Sequence, residues 1–282
     1  MKTILVPVDF TSTTENAVKV AAHWANRYEY DHIILLKSSE ESEFDYLHIA
    51  EGHSFVNEES INGLLEKTEA LLDRLCKIIT EKSFGIKVSK ATTDMTLTRS
   101  INDILKSQPS IELIILGSDD QVVSGNSFVS ENIISIARNS PVKTLIVPNG
   151  YSYSTVKDIL ISCDINSITK LERLFHQKSI IQKQEVHLMF LNIHTKQGFD
   201  IKDEKKIEIE EYIHRHFTEV SSDLHYSYDK NVINGILNFA SSNKTDLIIA
   251  LPGKHSFLYY LTNTSISEGI YQNVNQPVLI LK

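Results

Sequence analysis

Apolar residues fall into short runs bounded by polar ones. Thr3-Ile4-Leu5-Val6-Pro7-Val8-Asp9 is the first, and His32-Ile33-Ile34-Leu35-Leu36, Ile111 to Leu116 and Thr144 to Val147 follow. A weaker, alternating Ile86-Lys87-Val88-Ser89 lies among them. Continuous apolar runs of this length predict strands buried on both faces, as in a parallel sheet. The stretches between them carry helical periodicity. Ala17, Val20, Ala21, Trp24 and Ala25 share one face, and Leu64, Leu65, Ala70, Leu71, Leu72, Leu75 and Ile79 build a longer amphipathic segment. Ile101, Ile104 and Leu105 form a third helix, and Ile133, Ile134 and Ala137 a fourth. Alternating strand and helix predict an open α/β sheet with short connections and right-handed crossovers, a three-layer domain.

The same order then recurs. Asp158 to Asp164 mirrors the first strand and again ends in Asp; Val186 to Ile193, a weak His225 to Tyr228, Leu247 to Leu251 and Val278 to Leu281 mirror the rest. Leu113 and Leu247 are 134 residues apart, as are Leu145 and Leu279, whereas Asp9 and Asp164 are 155 apart. The second copy is thus shorter by about 20 residues, lost between its second and third strands, a repeat that reads as two copies of one domain. The expected boundaries are 1–149, carrying an insertion at 39–60, and 150–282.

Charge changes the picture locally. The net charge is −8 over 282 residues, and residues 40–59 alone hold Glu40, Glu41, Glu43, Asp45, Glu51, Glu58 and Glu59 with no Lys or Arg. That segment reads as a solvated surface loop, with a docking or metal site at His48 and His53 as the sharper alternative. The acidic balance argues against a nucleic-acid binder driven by phosphate contacts. No run approaches the ~20 apolar residues of a membrane span. Met1 to Phe10 runs straight into strand-like sequence, so no secretory leader is expected. Two cysteines, Cys76 and Cys163, sit in apolar stretches and suit a reducing, cytoplasmic setting better than a disulfide framework.

With those residues in view, the chain resembles the universal stress proteins. The resemblance rests on Lys2-Thr3-Ile4-Leu5-Val6-Pro7-Val8-Asp9-Phe10 followed by a small polar run and an Ala-rich helix. It rests also on the two endings, Asn139-Ser140-Pro141-Val142-Lys143-Thr144-Leu145-Ile146-Val147-Pro148 and Asn275-Gln276-Pro277-Val278-Leu279-Ile280-Leu281. The resemblance implies, for each copy, a five-stranded parallel sheet of order 3-2-1-4-5 and pairing of the two copies through their last strands. It also implies an adenine-nucleotide site built from Pro7 and Asp9 at the end of strand one and a Gly-x2-Gly-x9-Gly-(Ser/Thr) loop after strand four. Such glycines let backbone N–H groups approach phosphate, and the following helix N-terminus adds a favourable dipole.

The first copy keeps this spacing but not its chemistry. Gly117 stands at the first glycine, Asp120 at the second, Ser130 at the third and Glu131 at the Ser/Thr position. A like-charge contact at ~4 Å costs about 1 kcal/mol in water and more in a cleft, so these acids oppose phosphate. Glu131, in the first turn of a helix, is read as occupying the anion position itself. A shifted alignment using Gly125 is the alternative. In the second copy Thr264-Ser265 fall at the Gly-(Ser/Thr) position, and the loop opens Pro252-Gly253-Lys254-His255. Lys254 suits phosphate better than Asp120 does, while Ser265-Ile266-Ser267-Glu268 reads as a capping box, which makes Ser265 a helix cap. Asp9 and Asp164 retain the adenosine-side carboxylate; the competing reading is that each caps the following turn or helix.

No catalytic constellation emerges. Gly125-Asn126-Ser127 is not followed by the glycine of a nucleophile elbow, and no phosphate-loop Gly-x4-Gly-Lys-(Ser/Thr) occurs. His214 and His216 do not share a helix face, and the cysteines lack zinc spacing. The expectation is a non-catalytic stress-response binding or regulatory module with degenerate nucleotide sites and no resident cofactor or metal. Its partner would be a protein or small molecule, neither nucleic acid nor membrane, and a homodimer is open. The alternatives are a protein that binds ATP or another adenine nucleotide with weak ATPase or sensor behaviour, and an adenosine-using enzyme of similar fold.

Overall fold

The computed structural model describes residues 1–38, 58–118, 128–164, 168–182, 185–195, 203–251 and 275–282. It divides into two compact units, one running to Ser118 and including the following helix as far as Ile136, the other taking Ala137 onward.

In the first unit the elements are β1 (Thr3–Pro7), α1 (Ser12–Tyr28), β2 (His32–Ser38), α2 (Glu58–Lys82), β3 (Lys87–Thr93), α3 (Leu97–Ser107), β4 (Ile111–Ser118) and α4 (Phe128–Asn139). The strands are parallel in the order β3-β2-β1-β4. β1 and β2 are buried at every position, and β4 at every position but Glu112. Both faces of these strands are therefore covered, which is why they read as unbroken apolar runs. β3, paired only with β2 among the described residues, is half-exposed or exposed at every position. α1 packs on β4, β1 and α2, and buries Ala17, Val20, Ala21, Trp24 and Ala25, the face its periodicity predicts.

The second unit contains β5 (Lys143–Pro148), β6 (Asp158–Ser162), a 3-10 stretch (Ile168–Gln177) running into α5 (Lys178–Ile181), β7 (His187–His194), α6 (Asp203–His216), β8 (Ser221–Tyr228), α7 (Val232–Ser242), β9 (Leu247–Ala250) and β10 (Val278–Ile280). β8-β7-β6-β9-β10 is a parallel sheet in the expected 3-2-1-4-5 order. β5 joins it by an antiparallel ladder to β10, Val278 opposite Ile146 and Ile280 opposite Thr144. This ladder groups β5 with the second unit. The Lys282 ammonium reaches back to the carbonyls of Ala137 and Arg138 at the end of α4. A cation there satisfies carbonyls that the helix leaves open and complements its dipole.

Of the acidic stretch 40–59, residues 40–57 lie outside the described residues, whereas Glu58 and Glu59 belong not to a loop but to the start of α2. Of the two thiols, Cys163 is buried and Cys76 half-buried. No helix among the described residues is long and apolar enough to cross a membrane.

Candidate functional site

In the first unit β1 is flanked by β2 on one side and β4 on the other, so the strand order reverses there. The crevice beyond the carboxyl ends of such strands is where open α/β sheets bind ligands. Its floor starts at Pro7, the buried last residue of β1. Val8 N–H then donates to Leu36 O at 2.9 Å, carrying the pairing one residue further.

Asp9 is held by the start of α1. Its Oδ1 accepts from Thr11 N–H at 3.2 Å, Thr11 Oγ1 at 2.7 Å and Thr14 Oγ1 at 3.0 Å. Thr11 is the N-cap: its backbone is extended and its Oγ1 accepts from Thr14 N–H at 3.3 Å. Asp9 therefore fixes the cap without being the cap. The same device recurs in the second unit, after β8, two strands away from β6. There Asp229 Oδ1 accepts from Asn231 N–H at 2.9 Å, and Asn231 caps α7 by accepting from Ile233 and Asn234 N–H. Replacing Asp9 by alanine should cost the first unit about 1.5–3 kcal/mol, the value of hydrogen bonds to a charged group, and Asp9→Asn less. Urea denaturation followed by the fluorescence of Trp24, the only tryptophan, reads this. An unchanged midpoint would show that the carboxylate does not hold the helix start.

Phe10 adopts φ 64°, a left-handed conformation uncommon for a bulky residue. Its ring lies 5.7 Å from Lys37 Nζ, and the buried Lys37 donates to Ser38 O at 2.6 Å. Ser38 Oγ in turn donates to Met95 O at 2.7 Å, closing the ends of β2 and β3. Lys37 was not among the expected site residues. Its signal is a lysine at the end of an otherwise apolar run, Ile33-Ile34-Leu35-Leu36-Lys37.

Gly117 is needed for packing. A Cβ there would lie 2.5 Å from Thr13 O and 2.9 Å from Thr13 C, backbone atoms in the first turn of α1. Asp120 lies outside the described residues. α4 begins at Phe128, which puts Ser130 and Glu131 in its first turn, as the anion-position reading requires of Glu131.

In the second unit Cys163 N–H donates to Leu191 O at 2.9 Å, the counterpart of Val8 on Leu36. Asn192 consequently stands where the first unit has Lys37. It is buried, and its Nδ2 donates to Cys163 O at 2.9 Å. Asn192 Oδ1 and the hydroxyl of the neighbouring Tyr226 are buried with no hydrogen-bond partner among the described residues. Burial, and then the charge of Glu210, push the Tyr226 hydroxyl up to about 12. Burial, and then the charge of Asp164, push the Cys163 thiol up to about 12 as well, so it stays protonated and inert near neutrality. Asp164, directly after, is half-buried. Gly253, Lys254, Thr264 and Ser265 lie outside the described residues. Among the described residues no group of three His, Cys, Asp or Glu side chains could hold a metal ion.

No protein-family model matches the chain, and no curated protein matches it in sequence. Solved structures do. A universal stress protein from Archaeoglobus fulgidus is 15% identical with a TM-score of 0.67, over 99% of this chain and 98% of that one. A functionally unknown protein from Pseudomonas aeruginosa is 14% identical with a TM-score of 0.56, over 100% and 92%. The cytoplasmic domain of a prokaryotic cation chloride cotransporter is 10% identical with a TM-score of 0.51, over 99% and 94%. The chain has the universal stress protein fold.

Proposed function

We propose that this chain is a tandem universal stress protein, its copies spanning 1–149 and 150–282, acting in the cytoplasm as a non-catalytic binding or regulatory module with degenerate nucleotide sites. The observation that carries the reading is the double use of the first crevice by its own fold. Asp9 spends Oδ1 on three donors of the α1 start, and Gly117 is required by its contact with Thr13. Both keep a packing role at a crevice whose remaining expected positions in this copy are Asp120, Ser130 and Glu131. The antiparallel ladder between β5 and β10 supports pairing of the copies through their last strands within one chain.

A second reading, an adenine-nucleotide-binding stress protein with weak ATPase or sensor behaviour, draws on Gly253 and Lys254 in the second copy. Thermal denaturation of the full chain with Mg-ATP, ADP and AMP separates the two. A ligand at 100 times its Kd stabilises a fold by about 2.7 kcal/mol, a readily visible rise in midpoint. The first reading expects no rise with any of the three, and a clear rise with ATP overturns it. Asp120→Gly combined with Glu131→Ser should then create a response if the acids are the obstacle. Phosphate release above the buffer blank would instead support the ATPase reading.

A further inference from the structure

Among the described residues β8 pairs with β7 alone and ends the order of the sheet. Edge strands are normally guarded against further pairing by Lys, Pro or a bulge. β3 follows that rule, with Lys87 and Lys90 on a seven-residue strand and Lys90 anchored to Glu69 and to Asp73. β8 does not. Its eight residues, Ser-Ser-Asp-Leu-His-Tyr-Ser-Tyr, contain no Lys, Arg or Pro, and it runs in unbroken register with β7 from Ser221 to Tyr228.

We propose that β8 is a dimerisation edge, pairing antiparallel with β8 of a second copy of this chain across a two-fold axis normal to the sheet. Such an axis keeps like faces together, so opposed residues must lie on the same face and their numbers must add to an even sum. Centring the axis on Asp223 would set that carboxylate against itself, which is unfavourable for directly opposed like charges. Centring it on His225 would set the two imidazoles against each other. Centring it on Leu224 makes every pair between Val220 and Tyr228 compatible. Asp223 then faces His225 of the second copy twice over, and Ser221 faces Ser227. On the other face Leu224 meets Leu224, Ser222 meets Tyr226, and Val220 meets Tyr228, which is 40% exposed. The Asp223 side chain is 65% exposed and lies 3.3 Å from His187 Nε2 through one oxygen, while the His225 ring is braced against Phe239 at 5.0 Å. Complementarity between the Asp223 carboxylate and the His225 imidazole N–H at one register thus selects the partner as an identical chain.

Sedimentation velocity of the full chain between 1 and 100 µM, in arbitrary steps of concentration, tests this. The expected species is a dimer of twice the 32.0 kDa chain mass. Asp223→Lys should weaken it by about tenfold or more, by turning two attractive pairs into poor ones. Adding His225→Glu to Asp223→Lys should restore it, because each introduced Lys then faces a Glu of the second copy. Asp229 N–H donates to His194 O, so the odd-numbered donors of β8 face β7 and the even-numbered ones face outward. Ser222→Pro, which removes an outward backbone donor, should leave monomer, with far-UV circular dichroism confirming that each variant is folded. A monomeric wild-type chain at the highest concentration, an open-ended polymer, a dimer indifferent to all three changes, or a failed charge exchange would each overturn the proposal.

Discussion

Gly117→Ala should destabilise the first unit by about 2–3 kcal/mol, the upper part of the range for forcing extra volume into a packed site, and Gly117→Val by more. The added carbon would stand 2.5 Å from Thr13 O and 3.0 Å from Thr13 Cγ2. The first of these atoms is backbone, in a turn that is fixed by Thr11 and Asp9, so relief requires the start of α1 to move off the end of β4. α1 in turn carries Trp24, 1% exposed and 4.5 Å from the Tyr28 ring, so its displacement is reported directly by tryptophan fluorescence in a urea titration. The measurement is made without nucleotide. A phosphate-contacting glycine could be exchanged there with little effect on stability, whereas a packing glycine could not. An unshifted midpoint for both variants would remove the packing account and return Gly117 to a ligand role.

How far the sequence reveals this protein depends on what each signal measures. β1, β2, β4, β6 and β9 are legible because burial on both faces leaves no room for polar residues, and their runs match the strands to within two residues at either end. The edges are under-read for the same reason. The pattern predicts His225 to Tyr228, yet β8 starts at Ser221, since an edge strand is specified by its ladder and needs no apolar run. β3 likewise extends past Ser89 to Thr93. At the candidate site, sequence singles out Asp9 and Gly117 and divides on their task. Asp9 at the end of an apolar strand fits an adenosine-side carboxylate as well as a turn, and only the bonds to Thr11 and Thr14 assign its Oδ1 to the helix start. Gly117 is ambiguous in the same way until the distance to Thr13 is known. Lys37 and Asn192 escape notice because their significance lies in occupying one position of two copies, beside Val8 in one and Cys163 in the other, a correspondence that strand register supplies and spacing alone does not.

Phe190→Ala should be the most damaging single truncation in the second unit, costing about 3–5 kcal/mol, the usual loss for a buried aromatic cut to alanine. Phe190 is fully buried at the centre of β7, with Ile161 and Leu224 beside it in the ladders on either side. Its ring meets Phe217 at 5.3 Å, and Phe217 meets Phe175 at 5.6 Å, so one cluster ties the 3-10 stretch and the end of α6 to the sheet. A domain stable by about 5–15 kcal/mol gives up much of its margin to such a loss. Phe190→Leu keeps most of the volume and should cost less than half as much. Because strand side chains alternate, Phe190 and Asn192 share a face, and Asn192 Oδ1 is buried there without a donor among the described residues. The cavity made by the alanine would let water reach that oxygen and recover part of its desolvation cost. The loss in Asn192→Leu combined with Phe190→Ala should therefore exceed the sum of the two single losses. Urea titrations of the four proteins by far-UV circular dichroism measure that coupling, and strict additivity would show that the aromatic cluster and the amide do not share one buried space.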